Sequence, residues 1–326
     1  MRTRTIRIHE HGGPEVLRLE TIDVGEPGPG QARVRHTAIG VNFIDTYHRS
    51  GLYPMTLPAR LGSEAAGVVE AVGPGVSEVK AGDRVGFAAG SSGAYCERSL
   101  VRADRLIPLP DAISDEVAAA SMLKGMTVEY LVQRTFAVQR GHTVLWHAAA
   151  GGVGTIATQW LAELGATVIG TVGSDAKAER ARANGCAHTI VYTREDFALR
   201  TRELTGGAGV PVVYDSVGRS TVPGSLDCLA PRGLLVSFGN ASGKPDPLDL
   251  LVLSKKGSLY VTRPTLATYV AAREDLLASA SALFDRIGRG VVRIEPSETF
   301  PLERAADAHR ALEARRTTGS IVLTVS

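Results

Sequence analysis

The residues with the clearest chemical signature are small ones. In Val144-Leu-Trp-His-Ala-Ala-Ala-Gly-Gly-Val-Gly154 an apolar run leads into a glycine turn, and a helical pattern follows. Ala149, Gly151 and Gly154 stand in the register of a dinucleotide fingerprint, with alanine in the first place. Gly151 leaves room for backbone to approach a pyrophosphate, and Gly154 lets the helix pack closely on the strand. Gly152 and Val153 then offer amides at a helix N-terminus, where unpaired N–H groups and the helix dipole favour anions. A strand before, a helix after and a second strand at the right distance make the signal more specific than a bare glycine triplet.

The choice of nucleotide depends on the end of that second strand. A site selective for NAD carries an acid about 20 residues past the glycines, to hold the ribose 2′-hydroxyl. Here Gly173 and Ser174 occupy that place, so nothing repels a 2′-phosphate. Lys177 lies in the first turn of the next helix, where its ammonium can meet such a phosphate. Tyr192, after the third strand, is placed to pack beside an adenosine. Asp175 complicates the pattern and is read as a first-turn acid facing solvent. The expected cofactor is NADPH.

Other chemistry is thin. The three cysteines, Cys96, Cys186 and Cys228, make no disulfide framework and cannot alone fill a four-cysteine zinc site. The eight histidines show no metal spacing, and His147 reads as a satisfied core residue. No Ser/His/Asp or Cys/His arrangement is visible. With 36 basic and 34 acidic side chains the net charge is +2, which argues against a polyanion held by bulk charge. Residues 141–162 carry no full charge and are long enough to span a bilayer. Their histidines, glycines and threonines fit a buried strand, turn and helix better. No leader-like apolar region follows the charged N-terminus. A cytoplasmic protein is expected.

Elements of two kinds must position these residues. Up to about residue 110, short apolar runs (Ala32–Thr37, Ala65–Val72, Asp83–Ala88) alternate with Gly/Pro punctuation, as in an antiparallel barrel or sandwich. Helical patterning covers Ala118–Arg134. From Thr143 onward strands alternate with helices of 8–12 residues, the βαβ signature of a parallel sheet covered on both faces. The strands are Thr143–Ala148, Thr167–Val172, Thr189–Tyr192, Val210–Ser216, Leu234–Phe238 and Ser258–Thr262. One long helix, about Thr268–Arg289, precedes a strand near Thr299, a helix Leu302–Arg315 and a last strand Ser320–Val325. The fold class is α/β.

Several stretches together resemble a known family. They are His11-Gly-Gly-Pro-Glu-Val-Leu17, Gly40-Val-Asn-Phe-Ile-Asp-Thr-Tyr47, Ser50-Gly-Leu-Tyr-Pro54 and Leu61-Gly-Ser-Glu-Ala-Ala-Gly67. With them go Leu123-Lys-Gly-Met-Thr127, the glycine turn, Tyr214-Asp-Ser-Val-Gly218, Ser237-Phe-Gly-Asn240 and Leu259-Tyr-Val-Thr-Arg-Pro264. Over nearly its whole length the chain resembles zinc-independent medium-chain dehydrogenases/reductases of the quinone oxidoreductase (ζ-crystallin-like) branch. The resemblance implies a GroES-like β-barrel domain over residues 1–125, a Rossmann NADPH-binding domain over 126–265, and a return to the first domain over 266–326.

It also implies the site. Asn42, Thr127, Tyr130, Gly151, Gly152, Val153, Gly173, Ser174, Lys177, Tyr192, Ser216, Phe238, Gly239, Asn240, Arg263 and Arg315 would contact the dinucleotide. Asn42, Asp45, Tyr47 and Tyr53 would face the substrate. Lys124 borders the nicotinamide side or forms a structural ion pair. Zinc enzymes of the superfamily carry Cys near Val41-Asn-Phe and Gly-His-Glu where this chain has Gly62-Ser63-Glu64. Their four-cysteine lobe corresponds to the short Ala88–Cys96 turn. No metal is expected.

The leading expectation is NADPH-dependent reduction of quinones, by electron or hydride transfer. The alternative is reduction of activated C=C bonds in enals or enones, which also accept hydride at a carbon conjugated to a carbonyl. A ζ-crystallin-like RNA-binding or structural role fits less well, since no basic stripe exists and the cofactor motifs are intact. The apolar edge near Ser258–Thr262 suggests a homodimer through the Rossmann edge strand.

Overall fold

The computed structural model describes residues 1–88, 93–314 and 317–325. They form two compact units, one made of Met1–Met126 with Tyr269–Ser326, the other of Thr127–Thr268.

In the second unit, six strands form a parallel sheet. Their order, counted by appearance in the unit, is third, second, first, fourth, fifth, sixth. The strands are Thr143–Trp146, Thr167–Val172, His188–Val191, Val210–Asp215, Leu229–Ser237 and Tyr260–Thr262. Leu145 is paired with Ile169 on one side and Val213 on the other, and all three are fully buried. Such two-faced burial explains why these strands read as continuous apolar runs rather than alternating ones. Strand order reverses between the first and fourth strands, which is where doubly wound sheets bind ligands.

The first unit is centred on the long strand Gln31–Val41. It pairs antiparallel with Glu64–Val72, Arg98–Arg102 and Ser320–Thr324. In this seven-stranded sheet, the described residues run in an open order from Pro296–Pro301 to Ile107–Pro108. A separate three-stranded sheet holds Arg2–Ile8 between Arg18–Asp23 and Ala59–Arg60. Val34, Ile39, Leu61, Phe87, Tyr95, Leu106 and Leu323 fill the core.

Several expectations need correction. The stretch read as one helix from Thr268 breaks into Leu266–Tyr269 and Arg273–Gly288. Between them, the carbonyls of Val270 and Ala271 accept hydrogen bonds from Arg105 Nη1, which holds them out of the helical ladder. The helix read to Arg134 ends as an α-helix at Glu129 and continues as a π-helical turn, Tyr130–Thr135. The last helix starts with a 3₁₀ turn at Leu302–Arg304 and runs over Ala305–Glu313. Four short helices escaped the sequence pattern: Phe43–Ser50, Phe197–Leu204, Val222–Cys228 and Leu250–Lys255.

One glycine sets how closely the central strands approach. A Cβ on Gly67 would lie 2.0 Å from the carbonyl oxygen of Arg35, on the paired strand. Gly67→Ala is therefore expected to cost about 1–3 kcal/mol by overpacking. The shift in urea midpoint measures it, and an unchanged midpoint contradicts it.

Candidate active site

In the second unit the first strand ends at Trp146, and its continuation turns sharply. Ala148 adopts a positive φ of 54°, rare for a residue with a side chain. Gly151 is the N-cap of the helix Gly152–Glu163, and its amide donates to Ala148 O at 2.9 Å. A Cβ on Gly154 would stand 2.3 Å from Ala148 O, so only glycine lets the helix start this close to the strand. The amides of Gly152, Val153 and Gly154 open the helix and have no intrahelical acceptor. Just inside, Thr155 Oγ1 is buried with no hydrogen-bond partner among the described residues. Amides, dipole and this hydroxyl together suit an anion.

At the end of the second strand, Ser174 caps the helix Asp175–Ala183 by accepting from the Lys177 amide at 3.4 Å. Asp175 is exposed, as expected, but not alone. Arg194 grips it with two hydrogen bonds of 2.5 and 2.7 Å, and this pairing pushes the Asp175 carboxyl below its usual range. Its charge is thus largely answered at the place where an acid would repel a phosphate. Tyr192 is exposed, and its hydroxyl lies 2.8 Å from where a Cβ on Gly173 would stand.

At the end of the fourth strand, the fully buried Asp215 shapes the next turn. Its Oδ1 accepts from the amides of Val217 and Gly218 and from Thr221 Oγ1, at 2.8–3.0 Å. Its Oδ2 accepts from Ser225 Oγ at 2.9 Å. Ser225 Oγ in turn meets His147 Nε2, and His147 Nδ1 meets Thr171 Oγ1, both at 2.9 Å. So a serine, a histidine and an aspartate do come together, although the sequence showed no such arrangement. Serine sits between the other two, and all three are buried, so they brace the strand ends rather than arm a nucleophile. The reading of His147 as a satisfied core histidine stands.

Above this brace, Gly239 passes so near Ser216 that a Cβ would lie 2.3 Å from its carbonyl oxygen. Arg263 donates to Ser237 Oγ at 2.9 Å and to Gly239 O at 3.0 Å. Phe238 packs on Trp146, and Asn240 is buried. Thr127 and Tyr130 are buried too, and Tyr130 opens the π-helical turn. Arg315 lies outside the described residues.

The substrate-side expectations fall into two clusters of the first unit. Tyr47 and Tyr53 meet edge to face at 5.3 Å, with Phe43 and His48 alongside. Asn42 and Asp45 belong to a buried polar cluster. Asn42 Nδ2 donates to Glu64 Oε1 at 2.8 Å, and its amide donates to Asp45 Oδ2 at 2.9 Å. Lys124 Nζ meets the same Glu64 oxygen at 3.0 Å, with both side chains buried, so Lys124 is an ion-pair residue. Glu64 Oε2 accepts from the Leu123 amide at 2.8 Å. Asp45 Oδ1 accepts from Ser63 Oγ at 2.6 Å, and Oδ2 from Tyr95 Oη at 3.0 Å. Tyr95 Oη contacts His309 Nε2, whose Nδ1 faces Arg49 Nη1, both at 3.1 Å. Arg49 closes the line on Glu313. Burial pushes the Asp45 carboxyl up to about 6 and His309 down to about 3, the latter helped by the charge of Arg49.

Comparison with known proteins agrees with this architecture. The model for the alcohol dehydrogenase GroES-like domain matches residues 28–111, and that for zinc-binding dehydrogenases matches 152–277. A quinone oxidoreductase of Pseudomonas aeruginosa is 55% identical, over 98% of this chain and 99% of its own. A 2-haloacrylate reductase of a Burkholderia species is 50% identical, over 97% of each. The Escherichia coli quinone oxidoreductase complexed with NADPH superposes with a TM-score of 0.97, at 50% identity over 99% of both chains. The chain belongs to the quinone oxidoreductase family of medium-chain dehydrogenases/reductases. Among the described residues no group of three or more His, Cys, Asp or Glu could hold a metal ion. The three cysteines are free and buried, and burial pushes each thiol up to about 12.

The Glu64–Lys124 pair gives a direct test. Removing the cation leaves a carboxylate buried without its charge partner, which typically costs about 3–5 kcal/mol. Lys124→Met is expected to lose that much in chemical denaturation, and adding Glu64→Gln should restore much of it. A stable Lys124→Met protein contradicts the pairing.

Proposed function

We propose that this chain reduces quinones with NADPH and without a metal, in the cytoplasm, as a homodimer. The observation that carries the reading is the glycine turn at the strand-order reversal, joined to a second strand end whose nearest acid is already paired with Arg194. NADPH, when bound, supplies a hydride; the protein's part is to bind, orient and exclude water.

The amides of Gly151, Gly152 and Val153 would hold the pyrophosphate, with Thr155 Oγ1 as an extra donor. Ser174, Lys177 and Tyr192 would take the adenosine end and its 2′-phosphate. Gly173, Ser216, Phe238, Gly239, Asn240 and Arg263 would shape the rest of the nucleotide surface, with Thr127, Tyr130 and Asn42 on the nicotinamide side. Asn42 already gives a side-chain proton to Glu64, which suits its carbonyl to accept from a hydroxyl. In the first unit, read as the GroES-like barrel domain, the Tyr47–Tyr53 pair offers aromatic edges and hydroxyls to a flat ring.

Three buried free thiols fit a reducing compartment. Among the described residues no helix is long and apolar enough to cross a membrane. Tyr260 and Val261 are exposed on the edge strand, an apolar edge suited to pairing with a second copy; sedimentation at assay concentration reads the dimer directly. A second reading, reduction of activated C=C bonds, is favoured by the 50% identity with the Burkholderia 2-haloacrylate reductase.

NADPH absorbance followed with a panel of quinones and conjugated enals tests both readings. Quinone-dependent oxidation is expected, preferring NADPH to NADH and surviving exhaustive chelation. Lys177→Ala should raise KM for NADPH about tenfold, as expected for loss of a charged hydrogen bond, with kcat little changed. Equal turnover with NADH, or loss of activity on chelation, overturns the reading.

A further inference from the structure

The buried line through Asp45 has a direction. Arg49 carries only donors, so His309 Nδ1 must accept from it and Nε2 must carry the proton. That proton points at Tyr95 Oη, and the Tyr95 hydroxyl donates to Asp45 Oδ2. The order Arg49, His309, Tyr95, Asp45 is therefore fixed by chemistry. No proton can pass along it to Asp45 without leaving a tyrosinate or an imidazolate, because Arg49 does not give its own up. The third donor to Asp45, the Asn42 amide, is also permanent. Only the Ser63 hydroxyl both gives and takes protons readily here. Ser63 is also the one hydroxyl-bearing residue of this line with any exposure, 8% for the residue as a whole, against none for Asp45 and Tyr95.

We propose that Ser63 is a further catalytic residue of the quinone reduction, passing to the substrate oxygen a proton stored on Asp45. The proposal rests on the quinone reading above. While Asp45 is ionised, the Ser63 hydroxyl is turned inward to it at 2.6 Å. Once Asp45 is protonated, it donates to Ser63 Oγ and frees the serine proton to point away. Bound NADPH would supply the quinone with a hydride, that is two electrons and one proton. The quinone's remaining proton comes from Ser63 as the oxygen becomes basic. Ser63 recovers its proton from Asp45, and the Asp45 carboxylate is reprotonated from solvent through Ser63 after release. The sum is NADPH, quinone and one proton giving NADP⁺ and hydroquinone. In this scheme Asp45 acts through Ser63 and is a positioning residue.

The surroundings favour a stored proton. Burial disfavours the carboxylate and the Glu64 charge adds to this, while Ser63, the Asn42 amide and Tyr95 oppose it. Lys124 answers Glu64 from behind. Tyr95 is pushed well up by burial and stays protonated, and His309 stays neutral beside Arg49. A carboxyl titrating at about 6 is charged above that pH, so proton delivery is present below it and lost as pH rises.

Two measurements decide. Infrared titration of the protein alone should show a protonated carboxyl that ionises near pH 6 and is missing in Asp45→Asn. In steady state, kcat should fall above pH 6, approaching tenfold per pH unit as the protonated fraction does, and Asp45→Asn should abolish that slope. Ser63→Ala should lose kcat on the order of 10²-fold, the usual scale for one proton-transfer group, with NADPH affinity in fluorescence titration unchanged. Ser63→Thr, which keeps the hydroxyl, should recover most of it. A flat wild-type pH profile, a fully active Ser63→Ala, or no carboxyl titrating in the infrared overturns the proposal. Wild-type protein that oxidises no NADPH with any quinone removes the quinone reading and this proposal with it, an outcome distinct from activity indifferent to pH and Ser63.

Discussion

A carboxylate shut away from water must be met by fixed donors, and Glu64 is met by three. Asn42 Nδ2 comes from one segment of the first unit, and Lys124 Nζ and the Leu123 amide from another. One ion therefore ties the start of the strand Glu64–Val72 to the N-cap of the helix Phe43–Ser50 and to the helix Asp115–Glu129. Packing enforces it: a Cβ on Gly40 would lie 2.4 Å from Glu64 Oε1 and 2.2 Å from the carbonyl oxygen of Ala119. The cost of burying such a charge is recovered only if every partner holds its place. The position of Asn42, and through its amide that of Asp45, follows from this one constraint.

The second unit solves a different problem, closeness of backbone. Gly154 and Gly239 stand where any side chain would collide with a carbonyl oxygen of the adjoining turn. These close approaches need rigid strand ends. The chain of Thr171, His147, Ser225 and Asp215 supplies them by linking the ends of the second, first and fourth strands through side chains. Burial keeps His147 neutral against the pull of Asp215, so the brace holds without a second buried charge.

What was legible in the sequence is what local spacing encodes. The glycine turn, the parallel strands and the missing acid at the second strand end all lie within short windows. The helix Phe43–Ser50 has a local signal too, an asparagine N-cap with Asp45 three residues on. The exposure of Asp175 is readable from its place in a first helical turn, but its partner Arg194 is 19 residues away and follows another strand. Tyr95 and His309 are separated by 214 residues, and Arg49 and His309 by 260. No periodicity encodes contacts of that range; they exist because the final helix packs beside Phe43–Ser50. The break after Tyr269 was hidden for the same reason, since it depends on Arg105.

The pairing of Ser320–Thr324 with the end of Gln31–Val41 sets Ile321 opposite Val41, one residue before Asn42. The first unit is therefore built from both ends of the chain, while the second is contiguous. During synthesis the second unit has all its residues long before the first does. The sheet beside Asn42 stays open along that edge until the strand Ser320–Thr324 has been made and released. Vectorial synthesis thus orders assembly, with the nucleotide-type unit able to form first and the Asn42–Asp45 cluster completed last. A nascent chain stalled short of residue 320 would present an unpaired strand edge, a target for chaperones or for mispairing.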